Sequence, residues 1–191
     1  MKRLALVTGI LALAAPLALA QASTWTADSA HSEVDFSVRH LGISNVHGRF
    51  GKIDATLTYN EADVSKSTVK ATIDVTGVNT GVAFRDNDLK SATFFETEKF
   101  PTATFTSTSV AKSGSILKVT GDLTVHGVTK PVVLEVEGPS APVQGMDKKQ
   151  HSGFSATTTI NRLDFGLGAK YPDNIVGNKI TLTIELDFAK Q

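Results

Sequence analysis

Apolar and polar residues alternate with a period of two along most of the chain, the spacing that sends successive side chains to opposite faces of a sheet. Val34, Phe36, Val38 and His40 share one face of the first clear strand, with Glu33, Asp35, Ser37 and Arg39 on the other. Ile53, Ala55, Leu57 and Tyr59 repeat the pattern against Asp54, Thr56 and Thr58, as do Val69, Ala71, Ile73 and Val75 against Lys70, Thr72 and Asp74. Ala103 and Phe105 oppose Thr102, Thr104 and Thr106; Leu117, Val119, Leu123 and Val125 oppose Lys118, Thr120, Asp122 and Thr124. Phe154, Ala156 and Ile160 oppose Ser155, Thr157 and Thr159. The last run is the cleanest, with Ile180, Leu182, Ile184, Leu186 and Phe188 set against Thr181, Thr183, Glu185 and Asp187.

Strands with one apolar and one polar face belong to antiparallel sheets, because parallel sheets are covered on both faces. Turn chemistry separates them at Asn60-Glu61-Ala62-Asp63, Ser113-Gly114-Ser115, Gly138-Pro139-Ser140-Ala141-Pro142 and Gly177-Asn178. The pattern predicts an all-β fold of about eight strands, the number at which a closed antiparallel barrel has room for one small ligand or a filled interior. One segment departs from it. Val82 to Lys90 shows no alternation and sets Phe84, Asp88 and Leu89 at helical spacing. It reads as a short helical crossover that, with Phe94, Phe95 and Phe100-Pro101, either packs on the core or caps an open end of the barrel as a lid.

The N-terminus adds a destination. Met1-Lys2-Arg3 is followed by an uncharged stretch from Leu4 to Ala20, too short and too broken by Gly9 and Pro16 for a membrane span, and ending in small-x-small triplets. Residues 1–22 are expected to be a signal peptide cleaved after Ala20 or Ala22, leaving one domain over 23–191. Loss of Lys2 and Arg3 takes the basic residues from 19 to 17 against 19 acidic ones, a formal charge of −2. No basic block follows a phosphate backbone, so nucleic acid is not an expected partner. With no Cys in the chain, disulfides, thiolate catalysis and Cys-ligated zinc are ruled out.

No catalytic motif is present: there is no G-x-S-x-G and no H-E-x-x-H, and Gly48-Arg49-Phe50-Gly51-Lys52 lacks the spacing of a P-loop. His31, His40, His47, His126 and His151 show no close ligand spacing, which disfavours a metal site, although strands bring remote residues together. Parity puts His40 and Arg162 on the apolar face at strand ends. Each fits two roles: holding the head of an amphiphile at the rim of an apolar cavity, or bonding to a loop carbonyl, with Asp164 a further partner for Arg162. Arg85 and Asp86 read as a capping or intraloop pair.

Read in order, Asp28-x-x-His31-Ser32-x-Val34-x-Phe36-Ser37-Val38-Arg39-His40-Leu41-Gly42-Ile43-Ser44 leads to Val46-x-Gly48-x-Phe50. Thr80-Gly81, Arg85-Asp86-x-x-Leu89-Lys90-Ser91-x-x-Phe94-Phe95-x-x-x-Lys99-Phe100-Pro101, Gly121-Asp122-Leu123-Thr124-Val125-His126-Gly127-Val128-Thr129-Lys130-Pro131-Val132 and Ile160-Asn161-Arg162-x-Asp164-Phe165-Gly166 follow. Together these resemble the YceI-like family of periplasmic and secreted lipid-binding proteins from Trp25 onward. The resemblance implies an extended, lipocalin-like eight-stranded barrel whose lumen takes a polyprenyl chain, an isoprenoid quinone or a similar amphiphile. It also implies ligand contacts at Phe36, Val38, His40, Leu41, Ile43, Phe50, Phe84, Phe94, Phe95, Phe105 and Phe165, with Arg162 added by parity. The expectations are a periplasmic or secreted binding protein with no catalytic residue, cofactor, metal or stable membrane insertion, and with a homodimer left open. Sequestration of lipophilic antibiotics, or an enzyme acting on isoprenoid substrates through His40 and Arg162, are the competing readings.

Overall fold

The computed structural model describes residues 22–191; residues 1–21 of the leader expected over 1–22 lie outside the described residues. The elements are β1 (Ser23–Ala27), β2 (Glu33–His40), β3 (Ser44–Arg49), β4 (Ile53–Tyr59), β5 (Thr68–Asp74), α1 (Ala83–Lys90), β6 (Thr102–Ser113), β7 (Ile116–Val125), β8 (Val128–Glu137), β9 (Val143–Gln144), β10 (Gln150–Asn161) and β11 (Val176–Lys190). Every pairing is antiparallel, and the sheet closes on itself because β11 pairs with β10 along one edge and with β1 and β2, end to end, along the other. β4 lies beside β1 and β3 beside β2. β1 with β2, and β4 with β3, are therefore each one interrupted stave, and with β5, β6, β7, β8, β10 and β11 they make the eight staves of a closed barrel.

The first interruption has a local cause. The Asp28 carboxylate accepts the Ala30 N–H at 2.9 Å and its carbonyl accepts the His31 N–H at 3.1 Å. This Asx turn lifts the chain off β11. The ladder stays satisfied across the gap, since Asp28 N–H donates to the Asp187 carbonyl at 2.7 Å and Asp187 N–H donates to Ser32 Oγ at 3.1 Å. A correction to the sequence reading arises at Gly177-Asn178, which is not a break: it lies inside β11, where the register against β2 shifts between Val176 and Ile180.

One seam is thin. β8 meets β10 only through Glu135, Val136 and Glu137, so among the described residues its edge from Val128 to Leu134 carries no strand. Counting from the closing Val125↔Val128 pair of the tight β7–β8 turn, with His126 and Gly127 both at positive φ, Pro131 falls at a position whose N points away from β7. The residue without an N–H thus faces the unpaired edge, the place where a strand tolerates it.

The inward face is the one predicted. Val34, Phe36, Ile53, Leu57, Phe105, Val119, Leu123, Leu182 and Phe188 are all buried in one continuous core.

Candidate functional site

The core does not fill the barrel. Between β2, β11, α1 and the loop after β10 lies a cavity of about 300 Å³. Below it a second of about 120 Å³ runs toward Tyr59, Phe154 and Phe188. Both are walled by Val34, Ile73, Leu123 and Leu182, which form the waist that separates the two chambers. Apolar side chains line both chambers, and charged groups appear only in the upper one, where Arg39, His40, Arg85, Asp88 and Arg162 reach its wall.

The lid of the upper chamber is α1 and the turn that follows. Gly81, at φ 76°, turns the chain into the helix. Asp86 accepts the Thr80 N–H at 2.8 Å, and Arg85 donates from Nε to Thr80 Oγ1 at 2.7 Å and from Nη2 to the Thr80 carbonyl at 3.0 Å. The two charged residues therefore converge on Thr80. Phe95 packs edge-on to Phe50 at 5.6 Å, and Phe50 lies 5.2 Å from Phe36, tying lid to wall. On the other side Phe94 stacks on Tyr171 at 5.6 Å, and the Tyr171 hydroxyl reaches Asp88 at 3.4 Å.

Arg162 organises the loop under that lid. It is 1% exposed, and all five of its N–H groups donate to backbone carbonyls. Nε donates to Gly177 at 3.2 Å, Nη1 to Leu167 at 2.8 Å and Gly168 at 2.7 Å, and Nη2 to Tyr171 at 2.6 Å and Val176 at 2.9 Å. Burial pushes the guanidinium pKa down, and the five carbonyl dipoles replace its lost hydration. Of the two roles sequence allowed, carbonyl bonding is the one the structure displays; Asp164 is exposed and forms no ion pair with it.

The other expected contacts divide. Phe36, Val38, His40, Phe50, Phe94 and Phe95 stand on the upper chamber, and Phe105 on the lower one. Leu41 and Ile43 do not, being 47% and 75% exposed. Strand parity ends at His40, and Leu41 and Gly42, at φ 53° and 70°, form the tip of the β2–β3 hairpin. Phe84 is 85% exposed; the inward stripe of α1 keeps Asp88 and Leu89 from the sequence spacing, with Arg85 in the place expected of Phe84. Phe165 is fully buried, but in a short 3₁₀ turn that packs it into the core away from both chambers. Tyr171 and Ile175 join the wall from a loop with no periodicity to announce them, and Val176 joins it as the first residue of β11.

His40 is the polar mouth residue without a hydrogen-bond partner among the described residues, while Arg39 is drawn to Asn45 at 3.3 Å. In the lower chamber burial raises the pKa of Tyr59. Residues with metal-ligand chemistry gather at the opposite end of the barrel, where Asp28 lies 2.8 Å from His31 and Asp187 lies 2.7 Å from His151. Each carboxylate raises the pKa of its imidazole.

The family description YceI-like domain matches residues 25–188. The protein YceI of Escherichia coli is 45% identical over 139 residues, covering 72% of this chain and 71% of that protein. The crystal structure of Burkholderia cenocepacia BcnA superposes with a TM-score of 0.74 at 24% identity, over 84% of this chain and 98% of that one. A polyisoprenoid binding domain from Saccharophagus degradans, implicated in plant cell wall breakdown, gives 0.65 at 19% identity, over 87% and 98%. The two structural likenesses are likenesses of fold, and they agree with the barrel seen here.

Proposed function

The chain belongs to the YceI-like domain family, and on that premise we propose that it is an exported binding protein that holds one long-chain isoprenoid lipid in its lumen. The observation that carries this reading is the two-chambered cavity, walled mainly by apolar side chains and with charged groups only in its upper chamber. An isoprenoid tail enters beneath α1 and passes the waist into the lower chamber, while its head stays beside His40 and Asp88. Each methylene taken out of water contributes about 0.8 kcal/mol, so a few isoprene units bind tightly with little polar recognition. The guest is a polyprenyl chain or an isoprenoid quinone, and the Saccharophagus domain named for polyisoprenoid binding supports that class. The role we favour is carriage or storage, which agrees with the donors of Arg162 all being engaged by backbone. The leader expected over residues 1–22 supports a role in the periplasm or outside the cell.

The waist provides the test. Leu123 lines both chambers, and Leu123→Trp narrows the passage between them. Titration with a fluorescent polyprenyl probe is expected to show one site on the wild-type chain and at least tenfold weaker binding to a folded L123W variant, with a short-chain probe little affected. A wild-type barrel that takes up no probe, or a variant that binds the long probe equally well, contradicts the reading.

A further inference from the structure

At the end of the barrel remote from the mouth, three separate parts of the chain bring imidazoles and carboxylates together. Asp28 and His31 sit on the Asx turn that interrupts the first stave, Asp187 near the end of β11, and His151 at the start of β10. One ligand atom each from Asp28, His31 and Asp187 lies within 4.8 Å of the other two. A tetrahedral zinc ion with bonds of about 2.0–2.2 Å needs its ligand atoms about 3.3–3.6 Å apart; the 2.8 Å between Asp28 Oδ2 and His31 Nδ1 must open to admit it, and the His31 side chain is 71% exposed, with room to turn.

The surroundings complete the set of features such a site requires. One Asp28 oxygen is fixed by the Ala30 N–H at 2.9 Å, leaving the other directed at His31. His151 bonds Asp187 through Nδ1 at 2.7 Å and Asp147 through Nε2 at 3.1 Å. It therefore orients the Asp187 carboxylate from behind, as a ligand's outer partner does. His31, His151 and Asp187 also line an open cleft with Glu137 and Glu185, which gives a cation a path in. Two carboxylates balance a divalent charge, and the imidazole favours a transition metal over magnesium or calcium.

We propose that Asp28, His31 and Asp187 bind a divalent transition metal of the zinc class, with His151 as a positioning residue and water in the remaining coordination position. Such an ion would staple the interrupted first stave to the end of β11. The site is separate from the lumen and does not depend on the isoprenoid reading.

The test uses the tag-free chain after chelator treatment, at pH 7.5. Zn²⁺ calorimetry and Co²⁺ absorption are expected to report one site with a tetrahedral cobalt spectrum, and Mg²⁺ to give no heat. His31→Ala is expected to weaken Zn²⁺ binding at least tenfold without changing the metal-free melting temperature, because the side chain is exposed. Asp187→Asn is expected to weaken it as well, and His126→Ala, elsewhere in the barrel, to leave it unchanged. Absence of stoichiometric Zn²⁺ binding, or equal affinity in the wild type and H31A, overturns the proposal.

Discussion

Replacing Arg162 by Met keeps the approximate length of the side chain and removes five N–H donors at once. The carbonyls of Leu167, Gly168, Tyr171, Val176 and Gly177 then lose their partner at a side chain that is 1% exposed. A hydrogen bond to a charged group is worth about 1.5–3 kcal/mol net, and five at full value would exhaust the whole stability of an ordinary domain, about 5–15 kcal/mol. The loop therefore has to relax, and the loss of the buried charge also removes its own desolvation cost. A penalty of about 3–5 kcal/mol is the expected balance, the usual range for breaking a buried charged network. At about 2–4 °C per kcal/mol for a domain of this size, the melting temperature should fall by roughly 6–20 °C. Urea denaturation measures the loss, and hydrogen exchange should locate it in residues 162–177. Arg162→Lys keeps the charge with fewer donors and falls between. A loss under about 1 kcal/mol in R162M, with selective loss of affinity for charged-headed ligands, would refute the structural role and restore Arg162 as a head-group contact.

Other expectations follow from the same geometry. A Cβ at Gly48 would lie 2.7 Å from Cε1 of Phe36 and 2.8 Å from Thr80 Cγ2, so Gly48→Ala should drive the Phe36 ring toward the lumen, cost about 1–3 kcal/mol and weaken probe binding in the same titration. Phe84→Ser and Ile43→Ser remove exposed side chains and should each change stability by less than about 0.5 kcal/mol in urea titration; a larger loss would mean that either side chain packs on the barrel. Because burial raises the pKa of Tyr59, its contribution is fully present below the ordinary tyrosine pKa and is lost as pH rises through the raised folded value. The wild type should therefore lose melting temperature more steeply than Tyr59→Phe in the alkaline range above about pH 10.

The barrel was legible wherever one face packs and the other is wet, as in β11, where Thr, Glu and Asp mark the outside. β8 was harder because Pro131 and Val133 sit on a partly open edge, where an apolar residue on the outer face costs little. β1 and β3 are short halves of broken staves, and β3 carries His47 and Gly48 in place of an apolar stripe. Parity located the lumen wall; Leu41, Ile43 and Phe165, which only the family resemblance suggested, lie where strand geometry stops, on a hairpin tip and in a 3₁₀ turn. Arg162 could be flagged as a polar residue on an apolar face, but its partners are main-chain carbonyls, which leave no mark in a sequence. Asp28 and Asp187 meet only because β1 and β11 are neighbours in the closed ring.

The central claim is that the lumen holds an isoprenoid lipid, and native mass spectrometry of the mature chain, purified gently from a bacterial host, tests it most directly. The expected spectrum shows a fraction of the protein carrying one extra mass that dissociates on activation and is identified, after extraction, as a polyprenyl compound or an isoprenoid quinone. A chain that is empty from every preparation, and stays empty after incubation with vesicles containing those lipids, would contradict the account.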